Sequence, residues 1–256
     1  MDTQTDRIML LKVPIDIVPH EDLPDVVSRI MQSTVVSKQN PEAKGENIVL
    51  LSLWDLLRAR RSGEYRDYVY KAALVIPISK SIVNGAKFLT GKKPVRYMPF
   101  NFFISLLTLL ETREYPLFLL GGKNKILRKA EKNIRSTFPR LKVVGRCEGS
   151  IRKQEEPAVI EAIRKSSPSL LLAGKGIRGE ELWIARNSRR LNTGFRIWCS
   201  DLFDVFAEKK QRPSDAVFDK GLEGIGFCFR NPLKFFRFFL FIWYGILLLV
   251  YRIFRR

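Results

Sequence analysis

Short apolar runs rich in β-branched residues alternate along this chain with longer segments of helical periodicity. We predict strands at residues 48–53, 74–78, 117–120, 142–144, 170–173 and 195–199. We predict helices at residues 54–70, 100–111, 126–138, 157–166, 180–190 and 214–229. This alternation is typical of an α/β domain, because each parallel strand needs a crossover before the next one. The predicted fold is therefore a mostly parallel sheet flanked by helices.

Composition narrows the classes of site that the chain can carry. Its 256 residues are 46% hydrophobic and 28% charged, which is typical of a globular protein and excludes wholesale disorder. Cys147, Cys199 and Cys228 are scattered and form no CxxC pair, so we predict neither a disulfide framework nor a zinc site. With His20 as the single histidine, a metal site built on two imidazoles is excluded. The scarcity of cysteine favours a reducing compartment, the cytoplasm.

Basic side chains outnumber acidic ones by 45 to 26, which gives a formal net charge of +19. A charge of this size attracts polyanions such as nucleic acid, anionic lipid or phosphorylated ligands. The sequence contains no recognised nucleic-acid-binding motif, so we predict no nucleic-acid partner. We interpret most of the charge as solvated surface, except in residues 231–256, where five basic and no acidic side chains flank an apolar run.

Glycines follow two of the predicted strands, at Gly121-Gly122 and in the Gly174-Lys175-Gly176 segment. Ligands of open α/β sheets bind beyond the carboxyl ends of the strands, so these turns are candidate sites. A glycine turn can present backbone N–H groups to a phosphate, but it also suits any tight connection between a strand and a helix. The three-glycine dinucleotide fingerprint is absent.

Five stretches carry a family resemblance. In chain order they are AALVIPISKSIV, LFLLGGKNKILRKAEKNIRSTFPRLKVVGRCEGS, LLLAGKGIRGEELWIARN, DLFDVFAEKKQRPSDAVFDKGLEG and RNPLKFFR. In this order and spacing, from about residue 12 to 237, they resemble the WecG/TagA/CpsF family, glycosyltransferase family 26. The resemblance implies that the predicted sheet and helices form a Rossmann-like domain. The resemblance implies transfer of an N-acetylhexosamine, N-acetylmannosamine-like, from a UDP-sugar to a polyprenyl diphosphate-linked acceptor. It places this reaction in cell-envelope polysaccharide synthesis at the cytoplasmic face of the inner membrane.

The same resemblance assigns candidate site residues. It implies substrate-binding roles for Arg96, Gly121, Gly122, Glu181, Arg212, Lys234 and Arg237. Two family positions are lost, because the family's proposed catalytic aspartate falls on Ile78 and its asparagine falls on Ser52. The family's glutamine falls on Glu180, and its Phe-Asp pair is kept at residues 203–204.

Loss of the aspartate matters because direct sugar transfer needs a carboxylate to accept the proton of the acceptor hydroxyl. Isoleucine cannot do this. Glu180 or Asp204 is the candidate relocated base, although a carboxylate at a helix start is also favoured simply by the helix dipole. Two hypotheses follow: a glycosyltransferase with degraded catalytic motifs, or a non-catalytic relative that binds nucleotide sugar or a partner enzyme at the membrane. We expect no metal and no cofactor, the UDP-sugar being a substrate.

The chain ends in an apolar run, FFLFIWYGILLLVY at residues 238–251, without a charge. As a helix this run is about 21 Å long, against about 30 Å for a bilayer core. In an α-helix, which turns 100° per residue, the cations that flank this run fall within roughly a third of the helix circumference. Tyr244 and Tyr251 fall on or beside the same arc. We therefore predict a helix lying in the headgroup region of an anionic membrane, with a buried helix and a spanning helix as alternatives. The predicted division is a domain at 1–229 and a membrane-associating appendage at 230–256.

Overall fold

The computed structural model describes residues 5–37, 45–212, 214–221 and 236–254, without the side chains of 33–37 and 236–238. The strands are β1 (Asp6–Leu10), β2 (Val13–Ile17), β3 (Glu46–Leu51), β4 (Leu74–Pro77), β5 (Leu117–Leu120), β6 (Val143–Cys147), β7 (Leu170–Ala173) and β8 (Phe195–Trp198). The helices are α1 (Leu23–Ser37), α2 (Leu53–Ala59), α3 (Glu64–Tyr70), α4 (Lys80–Thr90), α5 (Pro99–Thr112), α6 (Asn124–Thr137), α7 (Glu156–Ser166), α8 (Glu181–Asn187), α9 (Leu202–Phe206), α10 (Asp215–Lys220) and α11 (Phe236–Phe254).

The predicted parallel sheet is confirmed. Six strands pair in the order β4-β3-β8-β7-β5-β6, and every pairing is parallel. All residues of β4, β5 and β7 are buried, as expected for strands that helices cover on both faces. Only β6, at the sheet edge, alternates between half-buried and exposed residues among these six strands. The carboxyl ends of all six therefore meet at one edge of the sheet.

Sequence patterns missed or misjudged several elements. The helix predicted at 54–70 is two helices, α2 and α3, separated at Gly63, whose φ of +136° interrupts helical geometry. The antiparallel β1–β2 hairpin was not predicted, because Leu11 and Lys12 occupy its turn with positive φ in place of the usual Asn or Gly. Helices α1, α4 and α9 were also not predicted. The predicted helix 214–229 is described only as far as residue 221.

The core lies on the two faces of the sheet. On one face α1, α5, α6 and α9 pack around Phe102, Phe103 and Leu107. On the other face the hairpin and helices α2, α3, α4 and α11 form one cluster, and α7 and α8 form another. Asp16 ties the hairpin to the sheet: its carboxylate forms a salt bridge with Arg7 inside the hairpin and also accepts a hydrogen bond from the backbone N–H of Val75 in β4.

Helix α11 packs one face against α4. Tyr244 and Leu247 are buried in the cluster that includes the hairpin, and the Tyr244 hydroxyl donates to the Ser81 carbonyl at 3.1 Å. Tyr244 was predicted beside the headgroup-facing arc, and this is wrong, because that part of the helix faces α4. Arg252 likewise donates to the Phe88 carbonyl, at 2.5 Å.

The opposite face of α11 is exposed and apolar. The outer face consists of Phe239, Phe241, Ile242, Trp243, Ile246, Leu249, Val250, Ile253 and Phe254. The alternative of a buried C-terminal helix therefore holds for one side of α11 alone. Among the described residues we find no helix long and apolar enough to cross a membrane. The predicted boundary at residues 229–230 lies outside the described residues.

Candidate active site

A cavity of about 470 Å³ opens at the carboxyl edge of the sheet, where β4, β3 and β8 end side by side. From β3 the chain continues to β4 on one side, whereas β8 lies on the other side, so the connections diverge there. Such a divergence leaves the crevice in which open α/β sheets bind ligands. Ser52 follows β3, Ile78 follows β4, and Ser200 and Asp201 follow β8, and all four line the cavity.

Carboxylates dominate the charge of this cavity. Among the residues that the structure describes, Asp55, Glu180, Glu181 and Asp201 line it, and Arg58 is the one lining cation. Three of the four have polar partners among the described residues. This arrangement supplies candidate proton acceptors, and each is described in turn below.

Asp55 belongs to the capping box at the start of α2. Its carboxylate accepts from the backbone N–H of Ser52 at 3.1 Å, while its own N–H donates to the Ser52 hydroxyl. Burial raises the pKa of Asp55, and the hydrogen bonds from Ser52 oppose that rise without cancelling it. The carboxyl group is thus held in place close to the end of β3.

Glu181 pairs with Arg58, whose guanidinium also lies 4.0 Å from the ring centroid of Tyr65. Burial raises the pKa of Glu181 above its ordinary value despite this cation. Glu180 differs, because it is exposed and the described residues provide its carboxylate with no hydrogen bond or ion pair. Its backbone adopts φ +51° and ψ −131°, a conformation that non-glycine residues avoid.

Asp201 follows β8, and its carboxylate forms ion pairs with two lysines. Lys210 bonds its carboxylate directly, and Lys175 Nζ lies 3.4 Å away. Burial alone would raise the pKa of Asp201, but these ion pairs hold that pKa below its ordinary value. Asp201 is therefore ionised and neutralised by its partners, which makes it a poor proton acceptor.

Comparison with known proteins decides the family. A sequence model of the "Glycosyl transferase WecG/TagA/CpsF family" matches residues 8–256. The chain belongs to this family. A relative from Bacillus subtilis (strain 168), an N-acetylglucosaminyldiphosphoundecaprenol N-acetyl-beta-D-mannosaminyltransferase, is 21% identical over 179 residues, 70% of this chain and 69% of its own. The protein of the same name from Bacillus spizizenii (strain ATCC 23059 / NRRL B-14472 / W23) is 21% identical over 194 residues, 76% of this chain and 75% of its own.

The structure brings four of the positions singled out by the family resemblance into the cavity: Ser52, Ile78, Glu180 and Glu181. Asp204, the other candidate base, is not a cavity residue, and its carboxylate lies 3.5 Å from Lys209 Nζ. Of the two candidate bases of this family member, Glu180 alone is positioned in the cavity.

The predicted phosphate ligands are differently placed. Arg96 donates to the Ile78 carbonyl at 2.9 Å and to the Phe218 carbonyl, and its guanidinium covers the Phe218 ring at 3.6 Å. It thereby fastens α10 and lines a neighbouring pocket of about 260 Å³ together with His20. Arg212 lies 5.3 Å from the ring centroid of Phe100 and does not line the cavity. Lys234 and the side chain of Arg237 lie outside the described residues.

The glycine pair after β5 has a structural explanation. The N–H of Gly121 donates to the Cys147 carbonyl at 2.9 Å, and that of Gly122 donates to the Lys175 carbonyl. Gly121 has a φ of +127°, and a Cβ there would come within 2.6 Å of the Gly174 carbonyl oxygen. Both N–H groups are thus engaged within the chain, so they are not free to cradle a phosphate as the sequence suggested.

Sequence reasoning missed Asp55, Arg58, Tyr68 and Asp201 as cavity residues. One signal was present. The Ser-x-x-Asp spacing at 52–55, directly after a predicted strand, is a capping-box pattern that places a carboxylate at the carboxyl edge of the sheet. The other three depend on the break at Gly63 and on the strand order, neither of which the local pattern contains.

Proposed function

We propose that this chain is a glycosyltransferase that moves an N-acetylmannosamine-like sugar from a UDP-linked donor to a lipid-linked N-acetylglucosamine diphosphate. The observation that carries the proposal is the carboxylate-lined cavity at the carboxyl edge of the sheet in a member of this family. Both relatives are named for N-acetylmannosaminyl transfer to N-acetylglucosaminyldiphosphoundecaprenol. The UDP moiety, polysaccharide synthesis and the cytoplasmic face of the membrane come from the family resemblance.

We assign proton acceptance to Glu180. A direct displacement requires one carboxylate that is exposed to the acceptor hydroxyl and is not already neutralised. Glu180 meets both requirements, whereas Glu181 and Asp201 are paired with cations. Its unusual backbone conformation costs about 1–3 kcal/mol, a strain that is typical of functional positions.

The leaving nucleotide diphosphate needs compensating positive charge. Arg58, Lys175 and Lys210 already neutralise carboxylates in or beside the cavity, and Arg96 fastens α10. Lys234 and Arg237 therefore remain the proposed ligands of the diphosphate. No group of three metal-ligating side chains occurs in the described part of the chain, and the proposal includes no metal.

Association with the membrane is assigned to the outer face of α11. Its large apolar side chains are 43–81% exposed, from Val250 to Phe254. An apolar helix face of this kind inserts into the region between headgroups and acyl chains, and adjacent cations favour anionic lipid. We therefore propose peripheral association through an appendage that starts near residue 230 and follows a transferase domain at 1–229.

The test is transfer from UDP-N-acetylmannosamine to a short-chain lipid diphosphate carrying N-acetylglucosamine, followed as product and as released UDP. We expect turnover in the wild type and a loss of about 10²–10⁴-fold in Glu180→Gln, with Asp204→Asn as the matched control. Full activity in both variants would show that the base is elsewhere.

A second candidate function is favoured by Ile78, which lines the cavity where the family has its proposed catalytic aspartate. It is a non-catalytic relative that binds nucleotide sugar or a partner enzyme at the membrane. Calorimetric binding of UDP-N-acetylmannosamine without any release of UDP, with lipid and acceptor present, would select this second function.

A further inference from the structure

Among the described residues, two buried side-chain oxygens lack a hydrogen-bond partner: the hydroxyls of Tyr68 and Thr193. Tyr68 is 4% exposed and forms part of the cavity wall, whereas Thr193, 3% exposed, is not a cavity residue. A buried hydroxyl without a partner destabilises a fold, so each such group requires an explanation. Because Tyr68 is in the cavity wall, a group bound in the cavity is the candidate partner for its hydroxyl.

The surroundings of Tyr68 indicate the chemistry of that partner. The rings of Tyr65 and Tyr68 lie 6.1 Å apart at 40°, and the carboxylates of Asp55 and Glu181 line the same wall. Burial, and next the charge of Asp55 and of Glu181, raise the pKa of Tyr65 well above its ordinary value. Burial, and next the charge of Glu181, do the same for Tyr68, so the hydroxyl of Tyr68 keeps its proton and can donate it.

Charge favours an uncharged group over the diphosphate in this part of the cavity. Among the described lining residues, Arg58 is the one cation and is already paired with Glu181, whereas Glu180 has no cation partner, so an anionic group would find no unpaired positive charge there. A sugar ring has no charge, its hydroxyl groups donate to carboxylates, and its C–H face packs on aromatic rings. The N-acetyl carbonyl of a hexosamine is an acceptor that a tyrosine hydroxyl can bind.

We propose that Tyr68 is a substrate-binding residue whose hydroxyl donates a hydrogen bond to an N-acetylhexosamine ring held in this cavity. The inference rests on the proposed function for the choice of sugar, and it adds a residue that the family resemblance does not assign. The ring belongs either to the UDP-linked donor or to the lipid-linked acceptor, and the two sources share the chemistry that Tyr68 recognises.

The test compares Tyr68→Phe with Thr193→Val, which removes the other unpartnered hydroxyl while conserving shape. Without ligand, both variants should unfold at the wild-type temperature or above it, because each loses an unsatisfied polar group. Only Tyr68→Phe should bind UDP-N-acetylmannosamine, or the short-chain lipid diphosphate of N-acetylglucosamine, about tenfold more weakly than the wild type. Its affinity for UDP should not change. Whichever probe is weakened identifies the source of the ring.

Equal affinity of wild type and Tyr68→Phe for both probes would overturn the inference and leave water as the partner of the hydroxyl. If the wild type binds neither probe, the proposed function fails instead. Saturation-transfer NMR with free N-acetylmannosamine and N-acetylglucosamine then decides the inference on its own. Signals present with the wild type and weakened in Tyr68→Phe support the sugar site, and absence of signal with the wild type refutes it.

Discussion

Replacement of Gly85 by alanine tests how α11 is held against α4. Gly85 lies inside α4 under the Tyr244 side chain, and a Cβ there would be 1.9 Å from the Tyr244 hydroxyl oxygen and 2.9 Å from Cζ. Leu248 Cδ1 would lie 3.3 Å away. Since non-bonded carbon contacts are about 3.5–4.0 Å, the ring of Tyr244 must retreat by roughly 1.5 Å, and because this ring is buried between α4 and α11 we expect α11 to move with it.

Two opposing effects set the magnitude. Alanine in a helix interior gains about 1 kcal/mol over glycine, which stabilises α4. Overpacking costs about 1–3 kcal/mol, and loss of the hydrogen bond from Tyr244 to the Ser81 carbonyl costs about 0.5–1.5 kcal/mol. The net effect is weaker docking of α11 by roughly 0.5–3.5 kcal/mol, which increases its opening equilibrium by between about twofold and several hundredfold.

Hydrogen exchange of α11 amides measures this opening directly. The matched control is Gly245→Ala in α11 itself, where a Cβ meets no atom within 4 Å, so protection there should rise. In the Gly85→Ala background, Tyr244→Phe removes the closest contact and should restore part of the lost protection. Unchanged or increased protection of α11 in Gly85→Ala would refute the packing described here.

Two further predictions concern the cavity and the membrane. Because burial raises the pKa of Asp55, the protonated form of this carboxyl group stabilises the fold at low pH. This stability is lost as the pH rises from about 4, the ordinary pKa of aspartate, through the raised pKa of Asp55. The urea midpoint of the wild type should therefore fall over that range relative to that of Asp55→Asn, and parallel curves would contradict this. Ile246→Asn should weaken binding to phosphatidylglycerol vesicles, measured by co-sedimentation, about tenfold. Val144→Asn on β6, where the side chain is similarly exposed, should not weaken it, and equal losses in the two variants would show that α11 does not bind the membrane.

The sheet was predictable because its strands are short, continuous apolar runs, such as Leu117–Leu120 and Leu170–Ala173, whose bounds were predicted to the residue. The hairpin was not, because β1 alternates exposed and buried residues only briefly and its turn uses Leu11 and Lys12. Helix α1 follows β2, a strand that the sequence pattern also missed, so the alternation that revealed the other elements did not apply.

The family resemblance singled out four positions that the structure places in the cavity: Ser52 and Ile78, which directly follow strands, and Glu180 and Glu181 at the start of α8. Arg96 is not among them, because its contacts depend on the position of α10, whose Phe218 lies 122 residues further along the chain. Tyr68 lies in the cavity wall because of the way α3 packs against the sheet. This is a long-range arrangement that the local sequence does not reveal.

Helix α4 connects the cavity to the exposed face of α11. It starts at Lys80, directly after the cavity residue Ile78, and its N-cap Ser79 accepts from the backbone N–H of Leu53 at 3.0 Å. The same helix carries Gly85 against Tyr244. The position of the outer face relative to the cavity is therefore set by the α4–α11 contact.

A lipid-linked acceptor anchored beside that face must reach the cavity over a fixed distance, whereas a soluble acceptor need not. Gly85→Ala should consequently lower transfer to a vesicle-embedded acceptor several-fold while leaving transfer to a water-soluble N-acetylglucosamine diphosphate ester unchanged, because the cavity itself is intact. The comparison uses both acceptors at equal concentration with the same donor. Equal losses for the two would show that the substitution damages the cavity, and no loss for either would show that the docking of α11 does not position the lipid.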